Sequence, residues 1–546
     1  MPIQTEVPTE TEVLIIGAGP VGLALALELG QQGQACLLVE CQSRAGLAPR
    51  AKTTNVRTRE LLRRWGIAGH LADASPFGVD YPSNVVFATR MDGHELTRFE
   101  NAFYCAPERD DRFSEHAQWI PQYKVEQVLR EHALACGGVA LREGLRLCAL
   151  RQDQDRVEAT LEDVASGQRS TVRARYLVGA DGARSTVRDQ LGIKMAGVSP
   201  LSMHRNHVFR APRLASQHHF GPAVMYWLIN PDMPSVLAPL DDGDLWTFGH
   251  ARPADADNDA PPEALITRAL GFATDIEVLG SDDWTAHQLV ADRYRDRRVF
   301  LAGDACHLHP PFGGHGMNMG IGDAVDLGWK LAAVLSGWGG PALLDSYEIE
   351  RRQVHQRVIG ESVLNHSYRS EALLRPDLEQ AGPAGDQARA DVATLIQTVK
   401  QPEFDSLGVV LGAHYETSPV LAREPQDSAP WVPGPRYEAH ARPGCRAPHV
   451  WLDAGRAHGA SLFDHFASGS LTLLSTRPYA HRHAQPVLDA AHATGLPLKH
   501  LPLDTAELRD RYGADLVLVR PDHHVAWRGN SATAAIAALA VARGAA

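Results

Sequence analysis

The stretch GDACHLHPPFGGHGMNMG, residues 303 to 320, crowds reactive side-chain types together: Asp304, Cys306, His307, His309 and His315. Three histidines beside a thiol and a carboxylate could ligate a metal. Glycines running into a helix could instead form a phosphate loop. The spacing disfavours the metal. It matches neither H-E-x-x-H nor a paired Cys/His pattern, and glycine-rich backbone gives such ligands no rigid outer support. No metal is therefore expected. Asp304 closes the apolar run VFLAGDA, which places it at the carboxyl end of a strand, where open α/β sheets bind ligands. Pro310-Pro311 predicts a rigid turn, and a helix is expected to begin between Asn318 and Gly320.

Two other turns carry compatible chemistry. Gly17-Ala-Gly19-Pro-Val-Gly22 follows the strand VLII and opens a helix, and Glu40 ends the next strand. In that context the glycines allow a tight turn and close approach to a pyrophosphate, and the acidic residue can bind an adenosine ribose. YLVGADGARSTVR runs from a buried strand through Asp181-Gly182 into a helix start; alone it is equally an ordinary capped turn.

These turns need a scaffold, and the chain is long enough to supply one. Its 546 residues exceed one ordinary core, so several domains are expected. A net charge of -12 with no Lys/Arg run offers phosphate backbones no basic surface, so nucleic acid is not an expected partner. The longest apolar run is broken by glycines and a proline into strand, turn and helix, so no membrane association is expected. Seven dispersed cysteines without C-x-x-C, and an acidic start without signal-peptide character, suggest reduced thiols in the cytoplasm.

The pattern VLII, VGLALALELGQQG, ACLLVE is a βαβ opening. Turn-separated strands such as VMYWLI, SVLAPL and DLWTFGH predict an antiparallel sheet before RRVFLAGDA returns to the first pattern. The predicted fold is α/β: a Rossmann-like domain (1–80, 105–195, 286–370) with an inserted β-sheet substrate domain (81–104, 196–285). A helical region and linker (371–430) leads to a small C-terminal α/β domain (431–546).

Together, GAGPVG with Glu40, VGADGARSTVR and AGDACHLHPPFGGHGMNMGIGDAVDLGWKLA resemble the class A flavoprotein monooxygenases, single-component FAD enzymes that hydroxylate phenols and related aromatics. PRAKTTNVRTRELL and IPQYKVEQVL are similar to further segments of that family. PGCRAPHVWL, LFDHFASGSLTLL and ADLVLVRPDHHVAWR resemble the thioredoxin-like domain of its phenol hydroxylase and polyketide hydroxylase branches. The resemblance implies that Gly17, Gly19 and Gly22 hold the FAD pyrophosphate and Glu40 the ribose. It places Arg50 and Gln122 along the cofactor, Asp304 on the ribityl hydroxyls, and Gly316, Met317 and Asn318 at the flavin pyrimidine edge. It assigns Asp181 to a motif serving both FAD and the nicotinamide donor. NADPH or NADH is implied as a transient co-substrate, and the absence of an evident second strand–GxGxxG–helix unit fits a reductant that docks without a domain of its own.

The implied reaction is oxygen transfer from a flavin C4a-hydroperoxide to an electron-rich ring, with a small aromatic substrate and O2 as partners. A phenol with a pKa of about 10 is ionised to roughly one part in a thousand at pH 7, and a cation can correct this. Lys52 stands where several phenol hydroxylases carry Asp or His, and it could hold a phenolate or simply lie on the surface. Tyr226 in VMYWLI is a second candidate, as pocket residue or as packing, and Pro311 lies in the turn beside the reactive face. Flavin oxidoreduction without oxygen insertion, and Baeyer–Villiger or epoxidase chemistry on a polyketide-like ring, fit the same motifs. The C-terminal domain has one cysteine, Cys445, so a structural or homodimer-contact role is expected there rather than thiol–disulfide exchange.

Overall fold

The computed structural model describes residues 7–42, 51–78, 80–252, 260–422, 436–453, 459–478 and 480–545. Arg50 lies outside them. The strand Glu10–Ile16 sits at the centre of a largely parallel sheet, hydrogen-bonded to Cys36–Glu40 on one side and Arg169–Gly179 on the other. Val139–Glu143 and Val299–Leu301 extend this parallel set outward. Its strands read as continuous apolar runs because helices cover both faces. The helix Pro20–Gln31 is apolar all round, as an internal helix must be, and its segment Gly22–Leu29 is buried. It packs against the central helix Gly316–Leu335, where a methyl group on Gly328 would lie 2.5 Å from Glu28 Cγ.

A second, eight-stranded sheet is interrupted in sequence but continuous in space. Its order is His307–Leu308, Glu277–Ala291, Met195–Arg210, Leu245–Ala251, Ser235–Pro239, Met225–Leu228, Val85–Ala88 and Glu95–Phe99. All neighbours are antiparallel except Met225–Leu228 with Val85–Ala88. One face lies under the helix Pro262–Leu270, and the other faces the first domain. The helix Pro383–Phe404 lies against that second side through Val392, Ile396 and Phe404.

The C-terminal region forms a four-stranded sheet in the order Leu498–Pro502, Leu471–Ser475, Leu516–Val519, Val525–Gly529, with one parallel pair and two antiparallel pairs. With helices Ala480–Ala493, Ala506–Tyr512 and Ala532–Ala542 it has the thioredoxin-like arrangement. Among the described residues no helix is long and apolar enough to cross a membrane.

Candidate active site

Backbone geometry explains the first glycine turn. Gly17 has φ 104°, and a methyl group there would lie 2.3 Å from the Ala180 carbonyl oxygen. One on Gly22 would lie 1.9 Å from the Gly17 carbonyl oxygen. Gly19 occupies the N-cap of Pro20–Gln31, and no side chain caps that helix. Its first-turn N–H groups therefore suit an anionic group such as a pyrophosphate. Glu40 braces the turn: Oε2 accepts from Ala18 N at 2.8 Å and Oε1 from Gln42 N at 3.0 Å. A carboxylate has about four acceptor positions, so Glu40 keeps capacity for a ribose hydroxyl.

Asp181 is used differently. It accepts the Ser185 hydroxyl at 2.5 Å and Val187 N–H at 3.0 Å, which caps the short helix Thr186–Gln190. Its Cα also lies 3.0 Å from where a Gly17 methyl group would sit, so this turn packs directly onto the first one. The structure makes Asp181 a brace for the dinucleotide turn. Asp304 is exposed in a short 3-10 turn immediately beyond the strand Val299–Leu301.

The central helix starts at Gly316, earlier than the expected Asn318 to Gly320. Gly316, Met317 and Asn318 therefore form its first turn. The reason is the Asn318 side chain: Nδ2 donates to the Thr53 carbonyl at 2.9 Å and the Gly314 carbonyl at 2.7 Å, while Oδ1 accepts Asn55 N–H at 3.0 Å. Gly313 and Gly314, at φ 83° and 65°, make the sharp approach possible. His315 at the N-cap supplies no side-chain hydrogen bond to the helix. The positive end of a 20-residue helix is thus presented bare to the site.

The same contacts hold the Lys52 backbone close to the first turn of this helix. Thr53–Thr54 pairs with Gln118–Trp119, and the Lys52 carbonyl accepts Ile120 N–H at 2.7 Å. Gln122 begins the helix Gln122–Ala135; its backbone N–H bonds the Ala51 carbonyl at 2.9 Å and its amide donates to Glu126 at 2.8 Å. Lys52 is half-buried, and its ammonium has no hydrogen bond or ion pair among the described residues. Burial lowers its pKa from 10.5 to about 8.

The substrate sheet corrects one expectation. Strand side chains alternate between faces, and Tyr226 points away from the central helix. It is 1% exposed in a cluster with Trp246, Phe248 and Leu265, and its hydroxyl donates to the Gly221 carbonyl at 2.7 Å. It is a packing residue. Its neighbour Trp227 faces the site, stacked on Phe87 at 5.3 Å and meeting Phe312 at 6.0 Å. Pro311 is exposed beside Phe312, and its carbonyl accepts Gly314 N–H at 3.1 Å to close the turn.

Sequence reading missed the contribution of the helix Pro383–Phe404. Lys400 Nζ lies 4.1 Å from the centre of the Trp227 ring and 2.7 Å from Glu403 Oε2. Glu403 Oε1 in turn accepts Gly313 N–H at 3.2 Å, tying this helix to the turn before the central helix. No local pattern could announce a contact spanning 90 residues. His307 was also undervalued. Its Nε2 lies 3.2 Å from Asp323 Oδ2, and Asp323 Oδ1 meets His355 Nε2 at 2.8 Å and Arg351 Nε at 2.7 Å. With Cys306 these groups gather within 4.8 Å, close enough for a metal. However, both Asp323 oxygens are engaged and Arg351 already brings a positive charge. Burial opposes ionisation of Asp323, yet His355 and Arg351 hold its carboxyl well below the usual range. The cluster is a hydrogen-bonded brace.

Comparison with known proteins agrees with this geometry. A family model described as FAD binding domain matches residues 10–362, and one described as aromatic-ring hydroxylase, C-terminal, matches residues 440–545. The chain belongs to the FAD-dependent aromatic-ring hydroxylases. Tetracenomycin B2 monooxygenase-dioxygenase of Streptomyces olivaceus is 33% identical over 553 residues, covering 96% of each chain. The 2,4-dichlorophenol 6-monooxygenase of Delftia acidovorans is 31% identical over 570 residues, covering 95% of each. The rebeccamycin biosynthetic enzyme RebC, solved with reduced flavin, superposes with a TM-score of 0.89 at 36% identity, covering 99% of this chain and 100% of RebC. FAD is accordingly the cofactor of this hydroxylase-family chain. The tight glycine turn and the two uncapped helix starts fit the group it must hold.

Proposed function

We propose that the protein uses NADPH or NADH and O2 to hydroxylate a phenolic or related aromatic ring beside its flavin. Bound FAD supplies the redox chemistry, accepting electrons from the nicotinamide and activating oxygen. In this reading Gly17, Gly19, Gly22 and Glu40 hold the dinucleotide, and the first turn of Gly316–Leu335 favours negative charge at the flavin edge. Trp227, Phe87 and Phe312 supply an apolar, water-excluding wall for a flat ring.

The observation that carries the reading is Lys52. Lys330 is paired with Asp326 and Glu350, and Lys400 is paired with Glu403. Among the described residues Lys52 has no counter-ion, so its ammonium can serve a substrate phenolate. Lowering a phenol pKa by about two units needs about 2.7 kcal/mol, well within what a nearby, partly desolvated cation supplies. The hydroxylated rings named for the relatives, from a chlorinated phenol to a tetracenomycin, bracket the substrate class.

NAD(P)H consumption in air, with and without a panel of phenols and hydroxylated polycyclic rings, tests the proposal. Substrate-stimulated oxidation with 18O from O2 entering the product is expected. Product free of that label would replace hydroxylation with plain flavin oxidoreduction.

A further inference from the structure

The face of the eight-stranded sheet that carries Trp227 holds a second polar construction. Ser202 and His204 project from it four and two residues before Asn206, on the same side. Asn206 leads across the sheet through Gly249 and Val236 to Trp227. Ser202 Oγ lies 2.7 Å from His204 Nε2 and 2.8 Å from Nε2 of His366, the last residue of the helix Pro341–His366. The His204 ring stacks on Trp284 at 4.2 Å, and the His366 ring meets Phe312 at 5.4 Å. Both imidazoles are buried, at 8% and 6% exposure.

A hydroxyl has one hydrogen to donate. Among the described residues the two imidazoles are the only hydrogen-bond partners of Ser202 Oγ. The satisfied arrangement therefore makes one Nε2 an acceptor and the other an N–H donor, which puts the two rings in opposite tautomers. Exchanging those roles moves one proton. The Nε2–H of the first ring passes to Oγ as the Oγ hydrogen passes to Nε2 of the second. The first ring then takes a proton at Nδ1 and the second releases one from Nδ1, so no charge is left behind. Neither Nδ1 has a hydrogen-bond partner among the described residues.

We propose that His204, Ser202 and His366 form a proton relay between the aromatic-ring site and the protein exterior, carrying the proton that the substrate hydroxyl loses. The proposal rests on the hydroxylation reading and completes it, since Lys52 stabilises the phenolate and the relay disposes of its proton. The surroundings suit tautomer exchange. Burial first, then the neighbouring histidine and Arg369, lower His204 to about 4, with His250 adding to the effect. Burial, Arg369 and Lys400 likewise lower His366 to about 4. Both rings are therefore neutral at pH 7, each with one donor and one acceptor nitrogen.

The test follows ionisation of 4-nitrophenol bound to the FAD-loaded protein, read by its visible phenolate absorbance after a pH jump. Ser202→Ala is expected to slow ionisation about 10- to 100-fold with probe affinity unchanged. Ser202→Thr keeps the hydroxyl at a strand position and should restore the rate to within about 3-fold. His366→Gln breaks the relay from the helix side and should match Ser202→Ala. Wild-type ionisation in Ser202→Ala and His366→Gln, or a threonine variant as slow as alanine, overturns the relay and leaves the hydroxylation reading standing. Failure of the wild-type protein to take up the phenol overturns both.

Discussion

The substrate site and the seam between the FAD-binding and C-terminal domains both bury charge, but they treat it in opposite ways. At the seam every buried charge is matched. Arg520 meets Glu350 at 2.6 and 2.8 Å, Asp326 at 3.0 Å and Asp522 at 2.6 Å. Lys330 adds bonds to Asp326 at 2.7 Å and Glu350 at 2.6 Å. A few residues away Arg446 holds Glu60, with Nε to Oε2 at 2.9 Å. Around the proposed site, by contrast, Lys52 has no counter-ion among the described residues and two helices start without side-chain caps. Satisfied polar groups hold domains in one arrangement, whereas unsatisfied ones are available to something that binds.

The largest effect should come from breaking the seam. Arg520→Met leaves Glu350 and Asp326 with Lys330 and Asp522 with His524 as their remaining basic neighbours, and loss of one partner from a buried ionic network costs about 3–5 kcal/mol. Thermal or denaturant unfolding should show this as a large downward shift, with FAD lost together with the fold. An unchanged midpoint would mean that the C-terminal domain contributes little to holding the catalytic body.

Lys52→Met should have the opposite signature, because it removes a cation the fold does not use. Stability should hold or rise, FAD should stay bound, and phenol hydroxylation should fall by about 100-fold, the equivalent of about 2.7 kcal/mol. The pH dependence sharpens the distinction. With a folded pKa of about 8 against 10.5 for the free side chain, the cost of a buried ammonium is present in full below about pH 8. It is relieved as pH rises from there toward 10.5, so the stability gap between wild type and Lys52→Met should close across that window. The Lys52-dependent rate should fall as pH rises through about 8. A rate that ignores both the substitution and this window would remove Lys52 from the chemistry.

The smallest effect should be that of Tyr226→Phe, on the other face of the substrate sheet. Losing one hydrogen bond to the Gly221 carbonyl should cost about 1 kcal/mol. Turnover and probe affinity should stay within about 2-fold of wild type, because a one-residue change of strand face separates this ring from Trp227. A large loss of rate at constant stability would return Tyr226 to the site.

The glycine turns were legible in the chain because they are local. Gly17, Gly19 and Gly22 follow a strand and precede a helix within one βαβ unit, and Gly22 is excluded from carrying a side chain by Gly17 itself, although the contact at Gly17 comes from distant Ala180. The substrate side was legible only in outline. Alternation marked Met225–Leu228 as a strand but could not say whether Tyr226 or Trp227 faced the flavin, since either choice gives the same pattern. The beginning of the central helix was hidden by its glycines, because what orders Gly316 is a set of Asn318 bonds to a segment more than 260 positions earlier.

By itself, then, the sequence determined that the chain is built around a dinucleotide and where the strand ends that meet it lie, since short-range sterics and helix termini dictate those features; the flavin came from its resemblance to a family. Tertiary structure alone decided which charges are spent and which are spare. Lys52, Lys330 and Lys400 are the same residue type, and only the folded chain shows that two have carboxylate partners while the third has none among the described residues. Desolvation and pairing depend on neighbours brought together from distant parts of the chain, and no sequence spacing encodes them.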